Sequence, residues 1–183
     1  MSSCGGPPAV SLGPGVKAAA PPEQRSISGE TLHRGATQLT PRAEFTVQAK
    51  LLSKRRYRWD ELAVVSSWDF AVGWGAISDE TVTAGTRVLQ GDRLMYWHLY
   101  DAPLPLSIVE RSSANIHLIG ETDEITRQFE EAPLGSIVTL KGRLVDVRLP
   151  DNRVVPTSLT RLDRGVGACE ILFVSEIDWS TDA

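Results

Sequence analysis

The chain has 183 residues, 42% of them hydrophobic and 23% charged, which is enough apolar material for one buried core and typical of an ordinary globular protein. Residues 1–42 carry four basic and two acidic side chains, so residues 43–183 are six charges negative, and such a surface repels phosphate backbones unless its cations cluster on one face. No apolar run reaches the length of a membrane-spanning helix, and the two widely separated cysteines, Cys4 and Cys169, form neither a disulfide framework nor a paired-cysteine metal knuckle.

Residues 1–42 are rich in Pro, Gly, Ala, Ser and Thr and contain no Phe, Tyr or Trp. That composition buries too little to offset the entropy of ordering it, and predicts a disordered leader followed by a single β-rich domain at 43–183. The leader lacks the apolar core of a secretory signal, so the expected location is cytoplasmic. A lipid anchor on Cys4 or a missing targeting segment would place the protein in a bacterial envelope instead.

From residue 44 onward, Phe45, Val47, Ala49 and Leu51 alternate with Thr46, Gln48 and Lys50, the period of a half-buried strand. Residues 66–80, SSWDFAVGWGAISDE, predict an irregular stretch packed by its Trp residues and interrupted at Gly73 and Gly75, with Ser78 and Asp79 opening a second short turn. Leu94, Tyr96, His98 and Tyr100 lie on one face of an extended segment and Met95, Trp97 and Leu99 on the other. Bulk on both faces predicts a central strand. Residues 113–119 predict another strand, and Thr122 caps a helix over 123–132 that Pro133 and Gly135 end. Three strands follow, at 135–149 with a bulge or bend at Gly142, at 154–160 and at 169–177, with the order of an antiparallel meander. The predicted fold class is mainly β, a small antiparallel barrel of the oligonucleotide/oligosaccharide-binding (OB-like) type with one short helix between its third and fourth strands. Another small β-barrel or an α+β sandwich would present the same order of elements.

The segments WDFAVGWGAISD, RLMYWHL, SANIHLI and SLTRLDRGVGACEILFV together resemble a family of bacterial proteins without an assigned activity. Its motifs are a Gly-Trp-Gly then Ser-Asp element, a Ser-Ala-Asn-x-His element and an Asp-x-Gly-x-Gly-Ala-Cys-Glu element. The resemblance covers about residues 44–178 and implies no reaction. It implies membrane association through an apolar N-terminal segment, from which this chain departs with its Pro/Gly/Ala leader.

In residues 113–118, Ser113, Asn115 and His117 share one face of the extended chain, and Ala114, Ile116 and Leu118 share the other. Three polar groups in a row form a candidate binding floor, although a solvent-facing edge gives the same pattern. The late loop adds Arg161, Asp163 and Glu170, with Arg161 to hold an anionic or carbonyl group and Asp163 to fix Arg161. Cys169 and His117 are the elements of a thiol nucleophile and its base, while inert packing of a small thiol is the simpler account of Cys169. No pair among His98, His117 and Cys169 has metal-ligand spacing, so neither a metal nor a cofactor is expected. The expected function is a non-enzymatic binding or assembly module for a protein partner or a small polar or anionic ligand. The alternatives are a thiol-dependent hydrolase or transferase using Cys169 and His117, and a single-strand nucleic-acid binder using Arg55, Arg56 and Arg58.

Overall fold

The computed structural model describes residues 7–100, 104–161 and 167–182. Its framework is an eight-stranded sheet and a separate hairpin. The sheet comprises β1 (Glu23–Ser26), β2 (Leu32–Arg34), β3 (Thr37–Arg56), β4 (Trp68–Gly73), β7 (Ser113–Gly120), β8 (Ile137–Arg148), β9 (Val154–Val155) and β10 (Glu170–Ser180). The hairpin pairs β5 (Thr86–Gly91) with β6 (Leu94–Leu99). Three helices interrupt the strands: α1 (Glu80–Thr83), α2 (Leu106–Arg111) and α3 (Asp123–Glu131). No helix among the described residues is long and apolar enough to cross a membrane.

Five strands pair in a circuit: β3 with β4, β4 with β7, β7 with β10, β10 with β8, and β8 back to β3. Part of the sheet is therefore ring-like. Every pairing in the circuit is antiparallel except β7 with β10, which run parallel. Inside the ring lie alternate residues of each strand, among them Phe45, Phe70, Ile116, Leu140 and Leu172. Helix α3, capped by Thr122 through its side-chain oxygen, adds Phe129, whose ring meets Phe70 edge-on at 5.9 Å. Lys54 closes the other end of that helix by donating to the carbonyls of Glu130 at 2.6 Å and Ala132 at 2.8 Å.

Gly142 of β8 lies against the backbone of β10, since a Cβ there would collide with the Phe173 carbonyl. The register of β10 shifts opposite this point, between Val174 and Glu176, so the irregularity expected at Gly142 is realised on its partner strand.

Several expectations need correction. Residues 7–42, expected to be disordered, carry β1, β2 and the first six residues of β3, and Leu12 and Ala18 are buried with Ile137. Composition missed this because β1 and β2 are held by backbone pairing to β3, which needs no apolar side chains. The segment at 11–18 is held by Glu80, which accepts from Ser11 Oγ and from the amides of Leu12 and Gly13 at 2.7, 2.7 and 3.2 Å, and pairs with the buried Lys50 at 3.1 Å. The Trp-rich stretch is not irregular, because Trp68–Gly73 form β4, buried on both faces and so lacking any alternation. The aromatic strand β6 is not central but half of the outlying hairpin, and its bulk lines a cavity. Among the described residues no meander forms at the C-terminal end: β10 pairs with β8 and β7, while β9 is only two residues long and stops before Pro156, which lacks an amide donor. The described residues also hold three α-helices rather than one, since α1 and α2 are too short to leave a periodic signature.

Candidate functional site

Strand β7 turns Ala114, Ile116 and Leu118 into the ring and Ser113, Asn115 and His117 to the opposite face, as their alternation predicts. All three polar residues are buried, so this face is no solvent-exposed edge. Ser113 and Asn115 line a cavity of about 640 Å³ between β6, α2 and the start of β10, together with Trp97, Arg161, Cys169 and Glu170. His117 lies beneath that floor.

The group that organises the floor is Asp69, which sequence reasoning missed. It sits in β4 opposite His117 and is 0% exposed, so its charge must be met by protein. Arg93 Nη1 reaches Oδ1 at 2.7 Å, His117 Nδ1 lies 2.9 Å from the same oxygen, and Asn115 Nδ2 donates to Oδ2 at 3.4 Å. The Arg93 guanidinium also holds Asp60 at 2.7 Å and the Ser66 carbonyl at 2.8 Å, and stacks over Tyr57 at 4.0 Å. Arg93 comes from the two-residue turn of the β5–β6 hairpin, where Asp92 and Arg93 have φ of 51° and 64°. Positive φ at both turn residues belongs to a type I′ turn, which normally takes Asn or Gly. Here the ion pair with Asp69 offsets the strain of an arginine in that position. A lone carboxylate within an apolar run, Trp-Asp-Phe-Ala-Val, was the one available signal for Asp69. Nothing local marked Arg93.

Burial by itself would lower the proton affinity of His117. The Asp69 carboxylate, 2.9 Å away, and the neighbouring Cys169 outweigh that and push the imidazole up to about 9. Cys169 is half-buried rather than packed in the core. Its sulfur lies 3.4 Å from the Arg93 carbonyl and 3.7 Å from Asn115 Nδ2. Asn115 is locked in turn, since its Oδ1 accepts from Gln90 Nε2 at 2.7 Å.

On the far side of Cys169, Arg161 pairs with Glu170 at 2.5 Å, bonds Gln24 and stands over the Phe45 ring at 5.2 Å. Burial raises the proton affinity of Glu170, and the neighbouring Arg161 charge opposes that rise. Glu170 is thus a carboxylate partner of Arg161, a role expected of Asp163, which lies outside the described residues. Of the predicted set, Ser113, Asn115, His117, Arg161, Cys169 and Glu170 converge on one region. Among the described residues, no group of three or more His, Cys, Asp or Glu side chains is arranged to hold a metal ion.

The basic run has other tasks. Lys54 caps α3, Arg55 donates to the Gln90 carbonyl at 2.7 Å, and Arg56 pairs with Glu130 at 3.4 Å. Comparison with protein-family models, curated proteins and solved structures finds no match, so the motif resemblance assigns no family.

Proposed function

We propose that this chain is a small-molecule binding module on an OB-type barrel, and that the 640 Å³ cavity takes a flat or apolar ligand bearing an anionic or carbonyl group. The circuit β3–β4–β7–β10–β8, with α3 between its third and fourth strands in chain order, supports the OB-type reading. The observation that carries the binding reading is the cavity itself, which joins an apolar wall to a polar floor. Its volume suits a small ligand, Met95, Trp97 and Leu106 offer apolar surface, and Arg111 and Arg161 offer directional donors. The engagement of Lys54, Arg55 and Arg56 in the fold weighs against phosphate-backbone binding.

Benzoate, the simplest probe with both features, tests this by amide chemical-shift titration of the full chain. Saturable shifts confined to β6, α2, residues 113–115 and residues 169–170 are expected, with a Kd on the order of 1 mM for so small a ligand. Absence of shifts there at tens of millimolar, or shifts only elsewhere, overturns the reading.

A further inference from the structure

We propose that Cys169 is the nucleophile of an acyl-transfer reaction in this cavity, with His117 as its proton partner and Asp69 as the residue that positions the imidazole. This rests on the binding reading above and names the chemistry of the same site.

Three elements that lie far apart in the chain supply the three groups. Asp69 is on β4, His117 on β7, and Cys169 immediately precedes β10. Strand β4 places Asp69 directly opposite His117, and the parallel pairing of β10 with β7 aligns Glu170 with Ile116, which brings Cys169 beside Asn115 and His117. His117 Nδ1 is 2.9 Å from Asp69, which leaves the other ring nitrogen for the sulfur, and Cys169 is close enough to raise the proton affinity of the imidazole together with Asp69. This is the order of nucleophile, base and orienting carboxylate that activates thiols and hydroxyls on unrelated folds. Asp69 cannot swing away, because Arg93 and Asn115 hold it.

The placement relative to the cavity is the second, independent support. Of the three groups, only Cys169 reaches the cavity wall, with His117 and Asp69 stacked behind it. The charged neighbours of the thiol and imidazole are Asp69, Arg93, Arg161 and Glu170, which form two ion pairs. Both carboxylates are thus met by arginine, and His117 is the proton partner left to Cys169.

In the reaction, the thiolate attacks the carbonyl carbon of an ester. The S–C bond forms, the bond from carbon to the leaving oxygen breaks, and the imidazolium proton goes to that oxygen. Water then adds to the thioester while His117 takes its proton. The C–S bond breaks, a carboxylic acid leaves, and the thiolate and imidazolium are restored.

The test uses the full chain in a Cys4→Ser background with p-nitrophenyl acetate, whose leaving group needs no proton. A burst of about one nitrophenolate per chain is expected, with a single acetyl group found on Cys169 by mass spectrometry. Cys169→Ser abolishes the burst, and His117→Gln slows it by about 100-fold. For Asp69, the readout is the His117 ring titration by ¹⁵N NMR: Asp69→Asn lowers its midpoint from about 9 while benzoate shifts persist. Should these variants fail to fold, the parent protein alone decides, through iodoacetamide labelling at neutral pH. Labelling of native Cys169 faster than that of N-acetylcysteine supports the proposal, and protection until urea unfolds the chain overturns it. An inert thiol with intact benzoate binding removes the nucleophile and leaves the binding site, whereas a reactive thiol without benzoate shifts does the reverse.

Discussion

Replacing Asp69 with Asn removes the carboxylate that Arg93 and His117 share, and the cost should depend on pH through His117. The imidazole holds its proton up to about 9 in the folded protein against 6.5 in an unfolded chain, so the folded state binds that proton more tightly. Stability from this group is complete below pH 6.5 and is lost as the pH rises through about 9. A gap of that size corresponds to about 3 kcal/mol. The Asp69→Asn variant loses the larger of the two groups that raise the imidazole, and burial then opposes only the Cys169 contribution, so the stability from this group shrinks. Arg93 retains Asp60 and the Ser66 carbonyl, which limits the cost that is independent of pH. Urea unfolding followed by Trp fluorescence, at about pH 6 and about pH 9, measures both proteins. The stability difference between them should be larger at the lower pH, by up to about 3 kcal/mol. Glu170 and other groups titrate in both proteins and cancel to first order. An equal difference at the two pH values would refute the assignment of His117 as a cation held by Asp69.

Gly142→Ala drives a methyl group into the Phe173 carbonyl and should cost about 2 kcal/mol or more, seen as a fall in Tm of about 4–8 °C. An unchanged melting curve would mean that β8 and β10 yield there freely. Glu80 is held down to about 2 by the Ser11 hydroxyl and the Leu12 amide, with Lys50 adding to the effect, so its latch on the N-terminal segment is complete above the ordinary value of 4.5 and fails as pH falls through about 2. Glu80→Gln should mimic that loss at neutral pH and raise amide exchange at Leu12 and Gly13 by about tenfold or more, and unchanged exchange would show that burial of Leu12 suffices.

Strands with one face in the ring were legible. The alternation of Phe45, Val47, Ala49 and Leu51 and that of Ala114, Ile116 and Leu118 report directly which side chains meet the core. Thr122 and the acidic first turn likewise announced α3, because capping is a contact between near neighbours. Strand β4 escaped notice because burial on both faces erases the alternation, and β1 and β2 because edge pairing is a backbone property. The site was half visible. Ser113, Asn115 and His117 show their shared face in seven consecutive residues, whereas Asp69, Arg93 and Cys169 carry no local mark of their common destination.

Local order along this chain therefore follows from side-chain period and capping chemistry, which act over a few residues and are written in the residue order itself. The site belongs to another scale. Asp69 and Asn115 meet across 46 positions, and Asn115 and Cys169 across 54, because β7 pairs with β4 on one edge and with β10 on the other. Strand pairing exchanges backbone hydrogen bonds that every residue type can make, so no composition or spacing specifies which strands become neighbours. Closing the sheet into a ring chose those neighbours, and with them the carboxylate that His117 faces.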